Sequence, residues 1–132
     1  MSRENVDLVL TGYKAWDRGD LEGAFALIDE DCEFNEDPQY PEAGTYRGRE
    51  AFRGYFDRFR EEWDDYRVDV EEVRDSGDKV FVFVRQTARG KASGVQIDLR
   101  IAHLWTFREG KAVRMRAYFD RNEALKALEL EE

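Results

Sequence analysis

Between Ala51 and Val70 the spacing of apolar residues changes once, and that change dictates most of what the chain can become. Ala51, Phe52, Tyr55, Phe56, Phe59 and Trp63 recur every three or four residues, the period of one helix face. Arg49, Glu50, Arg53, Arg58, Glu61 and Glu62 fill the other positions, so a long amphipathic helix is expected over 48–64. After Trp63 the period falls to two. Val68 and Val70 alternate with Asp69 and Glu71, as on a strand with one wet face. The alternation slips at Glu72-Val73, and from there the chain is strand and turn. Ser76-Gly77-Asp78 precedes the run Val80–Val84, Gly90 and Gly94 mark a turn, Gln96 to Phe107 is the next strand, and Glu109-Gly110 turns into Ala112–Phe119. Turns this tight join antiparallel neighbours, so an antiparallel sheet is expected.

Upstream, Val6, Val9, Leu10, Tyr13 and Trp16 have helical spacing within residues 5–18. Gly19 ends that helix and Asp20 caps a short second one carrying Leu21, Ala24, Phe25, Leu27 and Ile28. Arg18-Gly19-Asp20 matches an integrin-binding tripeptide, but its place between two helices makes it a joint. Residues 31–37, DCEFNED, form a short strand that stops at Pro38, and a loop follows with Pro41, Gly44 and Gly48 as breakers. Asp120 with Glu123 resembles a capping box ahead of Ala124, Leu125, Ala127 and Leu128. No repeat or linker divides residues 1–132, so one α+β domain is expected.

Composition narrows the partners. The formal net charge is -9 and no basic cluster stands out, which argues against nucleic acid and against an anionic membrane surface. A 14% aromatic content argues for a packed core despite the 39% charged fraction. Cys32 is the one cysteine, so an intrachain disulfide and a thiolate zinc site are excluded. Its expected role is that of a small buried apolar side chain. With one histidine and no dense ligand cluster, neither a metal nor a cofactor is expected. MSRENVDL has no apolar signal core and no run reaches membrane-span length, so a cytoplasmic protein is expected. The strands at 80–84 and 101–107 are apolar on both faces. Helices on one side would leave the other exposed, which points to a homodimer packed through the outer sheet face.

Several stretches carry a resemblance. They are Gly19-Asp20-Leu21-Glu22-Gly23 after the first helix, Glu36-Asp37-Pro38 closing the first strand, and Thr45-Tyr46-Arg47-Gly48-Arg49-Glu50 opening the long helix. The longest is His103-Leu104-Trp105-Thr106-Phe107-Arg108-Glu109-Gly110-Lys111, running on to Met115-Arg116-Ala117-Tyr118-Phe119-Asp120. In this order they resemble the nuclear transport factor 2-like superfamily, above all its SnoaL-like and ketosteroid isomerase branches. The resemblance implies a cone-shaped curved antiparallel sheet, three helices of the N-terminal half on its concave face, one deep apolar pocket, and often a dimer. Isomerases, cyclases, hydratases, epoxide hydrolases and non-catalytic proteins share this fold, so function rests on the site.

Asp37 resembles the proton-shuttling aspartate of ketosteroid isomerases, and an apolar cavity would make it a better base near neutral pH. It equally suits a turn cap before Pro38. His103, in an apolar strand beside Ile101, Trp105 and Phe107, sits near the place of the isomerases' oxyanion-binding aspartic acid, where an imidazole could donate the same bond. The other reading is a satisfied core histidine. Arg85 shares a face with Phe81, Phe83 and Thr87. If that face is inner, Arg85 needs Asp37 or a ligand acid as partner; otherwise it lies at the rim. Asn35 and Tyr40 are placed to add hydrogen bonds at the pocket mouth.

The isomerases' helical tyrosine falls at about Gly12, one residue from Tyr13. Limonene-epoxide hydrolases need aspartates that this chain lacks after Arg85 and at Ala117. The SnoaL-type cyclase aspartate would be Asp120, which also suits an N-cap. Tyr13, Trp16, Phe34, Phe56, Phe83, Trp105 and Phe119 are the expected aromatic wall. The expectation is a binder of a small apolar carbonyl-bearing molecule, acting if catalytic as a cofactor-free isomerase or cyclase with Asp37 as base and His103 as donor. The alternative is a non-catalytic binding or dimerisation module with Asp37 and Arg85 as a structural pair.

Overall fold

The computed structural model describes residues 2–39 and 44–130. The elements run α1 (Ser2–Asp17), α2 (Leu21–Phe25), β1 (Ile28–Asn35), β2 (Thr45–Arg47), α3 (Arg49–Glu62), β3 (Trp63–Ser76), β4 (Lys79–Gly90), β5 (Gln96–Arg108), β6 (Lys111–Tyr118) and α4 (Arg121–Leu130). The period change in the sequence is the α3–β3 junction: Trp63 is already extended, with φ -126° and ψ 134°. The slip at Glu72-Val73 is a register shift in β3 between Val70 and Glu72.

The strands make one curved, unclosed sheet in the order β2-β1-β6-β5-β4-β3. β3 to β6 pair antiparallel with their neighbours, as their turns require. Two pairings depart from expectation. β1 lies parallel to β6, because the long stretch of chain between them can return in either sense. Thr45-Tyr46-Arg47, expected as loop, pairs antiparallel with β1; three residues are too few to show a period.

The helices α1, α2 and α3 pack on the concave face, forming the mixed α+β cone. Gly19, with φ +82°, turns the chain out of α1. Asp20 caps α2 by accepting the N–H of Gly23 at 2.9 Å, so Arg18-Gly19-Asp20 is a helix joint. Phe34 of β1 is fully buried. It meets Phe52, Tyr55 and Phe56 of α3 with ring centroids 4.9, 5.2 and 5.4 Å away, and this aromatic cluster seats α3 on the sheet.

On β4, Val80, Val82 and Val84 face the concave core, while Phe81 and Phe83 belong to a second apolar cluster on the outer face with Ala102 and Leu104. Ala124 and Leu128 of α4 pack on this outer apolar strip. Asp120 starts α4, its Oδ1 accepting the N–H groups of Asn122 and Glu123 at 2.8 and 3.4 Å. Arg121 then fastens the helix to β3 through two hydrogen bonds to Glu72, at 2.8 and 2.7 Å. Among the described residues no helix is long and apolar enough to cross a membrane.

Candidate functional site

A cavity of about 60 Å³ lies between the concave sheet face and the three helices. On α1 the positions 9, 12, 13 and 16 share one helix face, which brings Val9, Gly12, Tyr13 and Trp16 to its wall. Phe25 and Leu27 close one side, Phe52 and Phe56 of α3 another, and Val68, Gln86, His103, Trp105 and Met115 supply the sheet side. An apolar cavity of about 150 Å³ is the scale that admits benzene. The present volume suits a very small molecule, and a ring needs the walls to move apart.

Three side chains form a buried hydrogen-bond chain at this wall. Trp105 Nε1 donates to Tyr13 Oη at 3.0 Å, and Tyr13 Oη lies 2.6 Å from His103 Nδ1. Indole is only a donor, so Tyr13 accepts there. If His103 also donated, the phenol proton would have no acceptor in this chain of bonds. All three groups are satisfied only when Tyr13 donates to Nδ1, which leaves the imidazole proton on Nε2. His103 lines the cavity, and among the described residues no group hydrogen-bonds Nε2. The ring stacks on Tyr13 at 5.9 Å between centroids.

Burial sets the charge state of this chain. It lowers the His103 pKa to about 4, so the imidazole is neutral at pH 7. Burial also pushes the Tyr13 phenol far above its ordinary value, against the smaller opposing effect of the Trp105 bond. Among the described residues no carboxylate lines the cavity. The described wall therefore offers a fixed neutral N–H donor in an apolar setting, and no strong base is among its residues.

The sequence-expected residues divide sharply. Tyr13, Trp16, Phe56, His103 and Trp105 line the cavity. Asp37 does not. It is 4% exposed, and its two carboxylate oxygens accept the N–H groups of Gln39 at 2.8 Å and Phe119 at 2.9 Å. It ties the turn after β1 to the end of β6, the turn-cap role. Asp37→Ala should therefore cost about 2 kcal/mol of stability by leaving two N–H groups without their acceptor, with Asp37→Asn losing less. Urea denaturation reads both; an unchanged midpoint in Asp37→Ala would refute the clamp.

Arg85 is a second correction. It lies on the outer face and binds Asp98 through two hydrogen bonds, at 2.8 and 2.5 Å, so it pairs with neither Asp37 nor a cavity ligand. Phe83 is outer for the same parity reason and packs under α4. Phe119 is 36% exposed just past β6, and Phe34 is sealed in the aromatic cluster behind the wall. Asn35 is also structural: it donates to Thr45 Oγ1 at 2.9 Å and accepts from Arg114 at 3.0 Å. Tyr40 lies outside the described residues. Cys32 is buried, and burial pushes its thiol up to about 12, which makes it unreactive.

The residue that sequence reasoning missed is Gln86. It is 7% exposed and lines the cavity. Val80, Val82, Val84, Gln86 and Ala88 form one row of alternate positions, and only the structure shows that this row is the inner one.

Comparison with known proteins agrees with this fold. A family model described as SnoaL-like domain matches residues 9–115. No curated protein matches the chain in sequence. Among solved structures, an NTF2-like protein from Burkholderia thailandensis E264 is 30% identical with a TM-score of 0.80, covering 97% of each chain. TerC, co-crystallised with polyporic acid, is 26% identical with a TM-score of 0.77, over 95% of this chain and 97% of its own. Bal32a, from a soil-derived mobile gene cassette, is 25% identical with a TM-score of 0.81, over 96% of this chain and 97% of its own.

Proposed function

The chain belongs to the SnoaL-like domain family, and from that premise we propose that it binds a small, largely apolar molecule through one carbonyl oxygen, accepted by the Nε2–H of His103. The observation that carries this is the Trp105–Tyr13–His103 chain, which spends the first ring nitrogen on a protein partner and leaves the second as a donor at an apolar wall. A neutral imidazole pays a smaller desolvation cost there than a cation would. TerC, a relative of the same fold, was crystallised with polyporic acid, which supports an organic ligand for this cavity.

The geometry favours binding over proton transfer. Asp37, the expected base, is bound to two backbone N–H groups away from the cavity. A histidine held near pKa 4 is a weak base at neutral pH. The hydrogen bond to a carbonyl remains, and among the described residues no proton acceptor for isomerase or cyclase chemistry lines the cavity.

Calorimetry with benzaldehyde and with toluene tests the reading. One hydrogen bond is worth about 1 kcal/mol net, so the native protein should hold benzaldehyde about fivefold more tightly than toluene. His103→Leu should hold the two equally. Equal affinities in the native protein would end the proposal.

A further inference from the structure

Gln86 has a place in this cavity that the His103 reading does not use. Its β4 row is otherwise apolar on this face, with Val80, Val82 and Val84 before it and Ala88 after it. Gln86 is more than nine-tenths buried, lines the cavity, and among the described residues no group hydrogen-bonds its side-chain amide. A leucine here would bury more apolar surface and leave no polar group short of partners. Neither amide atom is among the sealed, unsatisfied groups of the fold, so the amide opens on the cavity and is free to take a partner that arrives there.

Its position relative to His103 follows from the register. His103 pairs with Val82, and Gln86 pairs with Leu99. The two polar groups therefore stand on adjacent strands, four residues apart along the sheet, or about 13 Å at ~3.3 Å per residue. They are at opposite ends of one inner wall, with an apolar stretch between them. We propose that Gln86 is the second anchor of the site, and that the ligand is elongated and two-ended. One end is a carbonyl at His103 Nε2–H. The other is a hydroxyl, carbonyl or amide at Gln86, whose side chain can donate and accept. The middle is apolar. This rests on the cavity being the ligand site and on its walls moving apart to admit a ring.

A matched pair of ligands separates the two ideas. 4-Ethylbenzaldehyde and 4-(hydroxymethyl)benzaldehyde have nearly the same shape and differ by one hydroxyl at the end remote from the carbonyl. The native protein should prefer the hydroxymethyl compound about fivefold, the size of one added hydrogen bond. Gln86→Leu should lose that preference. Without ligand, Gln86→Leu should melt at the same temperature as the native protein or higher, since no protein bond is lost. Equal affinity of the native protein for both aldehydes would overturn the Gln86 anchor and leave the His103 site standing. A lower melting temperature of ligand-free Gln86→Leu would also overturn it, by showing that the amide holds the fold together. If neither aldehyde binds, the His103 reading and this inference fall together.

Discussion

Tyr13→Phe should lower the melting temperature by about 10 °C. The ring stays, so its stacking on His103 and its edge contact with Trp105, at 5.9 and 6.2 Å between centroids, are kept. What is lost is the oxygen that serves both neighbours. Trp105 Nε1–H loses its acceptor and His103 Nδ1 loses its donor, both at buried positions. Each orphaned group costs about 1–3 kcal/mol, and partial relief at the edge of the cavity sets the total at roughly 3 kcal/mol. At roughly 3–4 °C per kcal/mol for a domain of this size, that is the stated shift. The chain has a single histidine, so nitrogen NMR of the imidazole has one source. The native protein should show the proton on Nε2, and Tyr13→Phe should show a mixture of the two tautomers. In Trp105→Phe the indole donor is already gone, so the same Tyr13 change should cost less there than in the native background. A shift below about 1 °C with the tautomer unchanged would mean that the hydroxyl is not the hub of the chain.

How much of this was legible beforehand depends on where burial is one-sided. The α3–β3 junction was legible because Phe52, Tyr55 and Phe56 bury one helix face and Val68 and Val70 one strand face, so the period shows. The Asp120 cap and the Gly19-Asp20 joint were legible because capping is local chemistry. The two faces of β4 were not. Val80 to Val84 is apolar throughout because the concave core covers one side and α4 the other. Alternation therefore could not say whether Arg85 or Gln86 points inward. The sequence allowed both His103 and Arg85 to be inner. The register forbids it: with His103 opposite Val82, Arg85 falls opposite Arg100 on the outer face. That register depends on the loop between Gly90 and Gln96, which has no pattern to count. β1's parallel partner was hidden for a similar reason, since nothing in a strand records which distant strand it will meet. Asp37 shows another limit. A carboxylate serving two backbone groups and one serving as a base look alike until the partners Gln39 and Phe119 are placed.

Acid should weaken the fold through His103, and the sign follows from the direction of its shift. Burial lowers the folded-state pKa from 6.5 to about 4. Below pH 6.5 the unfolded chain takes up a proton that the folded chain refuses, so stability falls as pH drops and levels off near pH 4. The shift amounts to about 3 kcal/mol at 1.36 kcal/mol per unit. Glu36 acts in the opposite sense, because burial raises its pKa despite the bonds it accepts from Tyr55 and from the Asp37 N–H. A carboxyl with a raised folded pKa gains relative stability as pH falls. Subtracting the profile of His103→Leu removes that contribution, which both proteins share. Between pH 7 and 4 the native protein should lose about 3 kcal/mol more than His103→Leu, measured by urea denaturation. A flat difference would mean that His103 titrates as an ordinary exposed imidazole. The physical reason for resistance lies in the same chain of bonds. Protonating Nδ1 would force Tyr13 to stop donating, and its phenol, held protonated by burial, would then face a second donor. Among the described residues no carboxylate lines the cavity to stabilise the resulting cation. The Nε2–H donor is therefore uncharged and present throughout the neutral range, and the preference for benzaldehyde over toluene, about fivefold, should hold constant from pH 8 down to about 5.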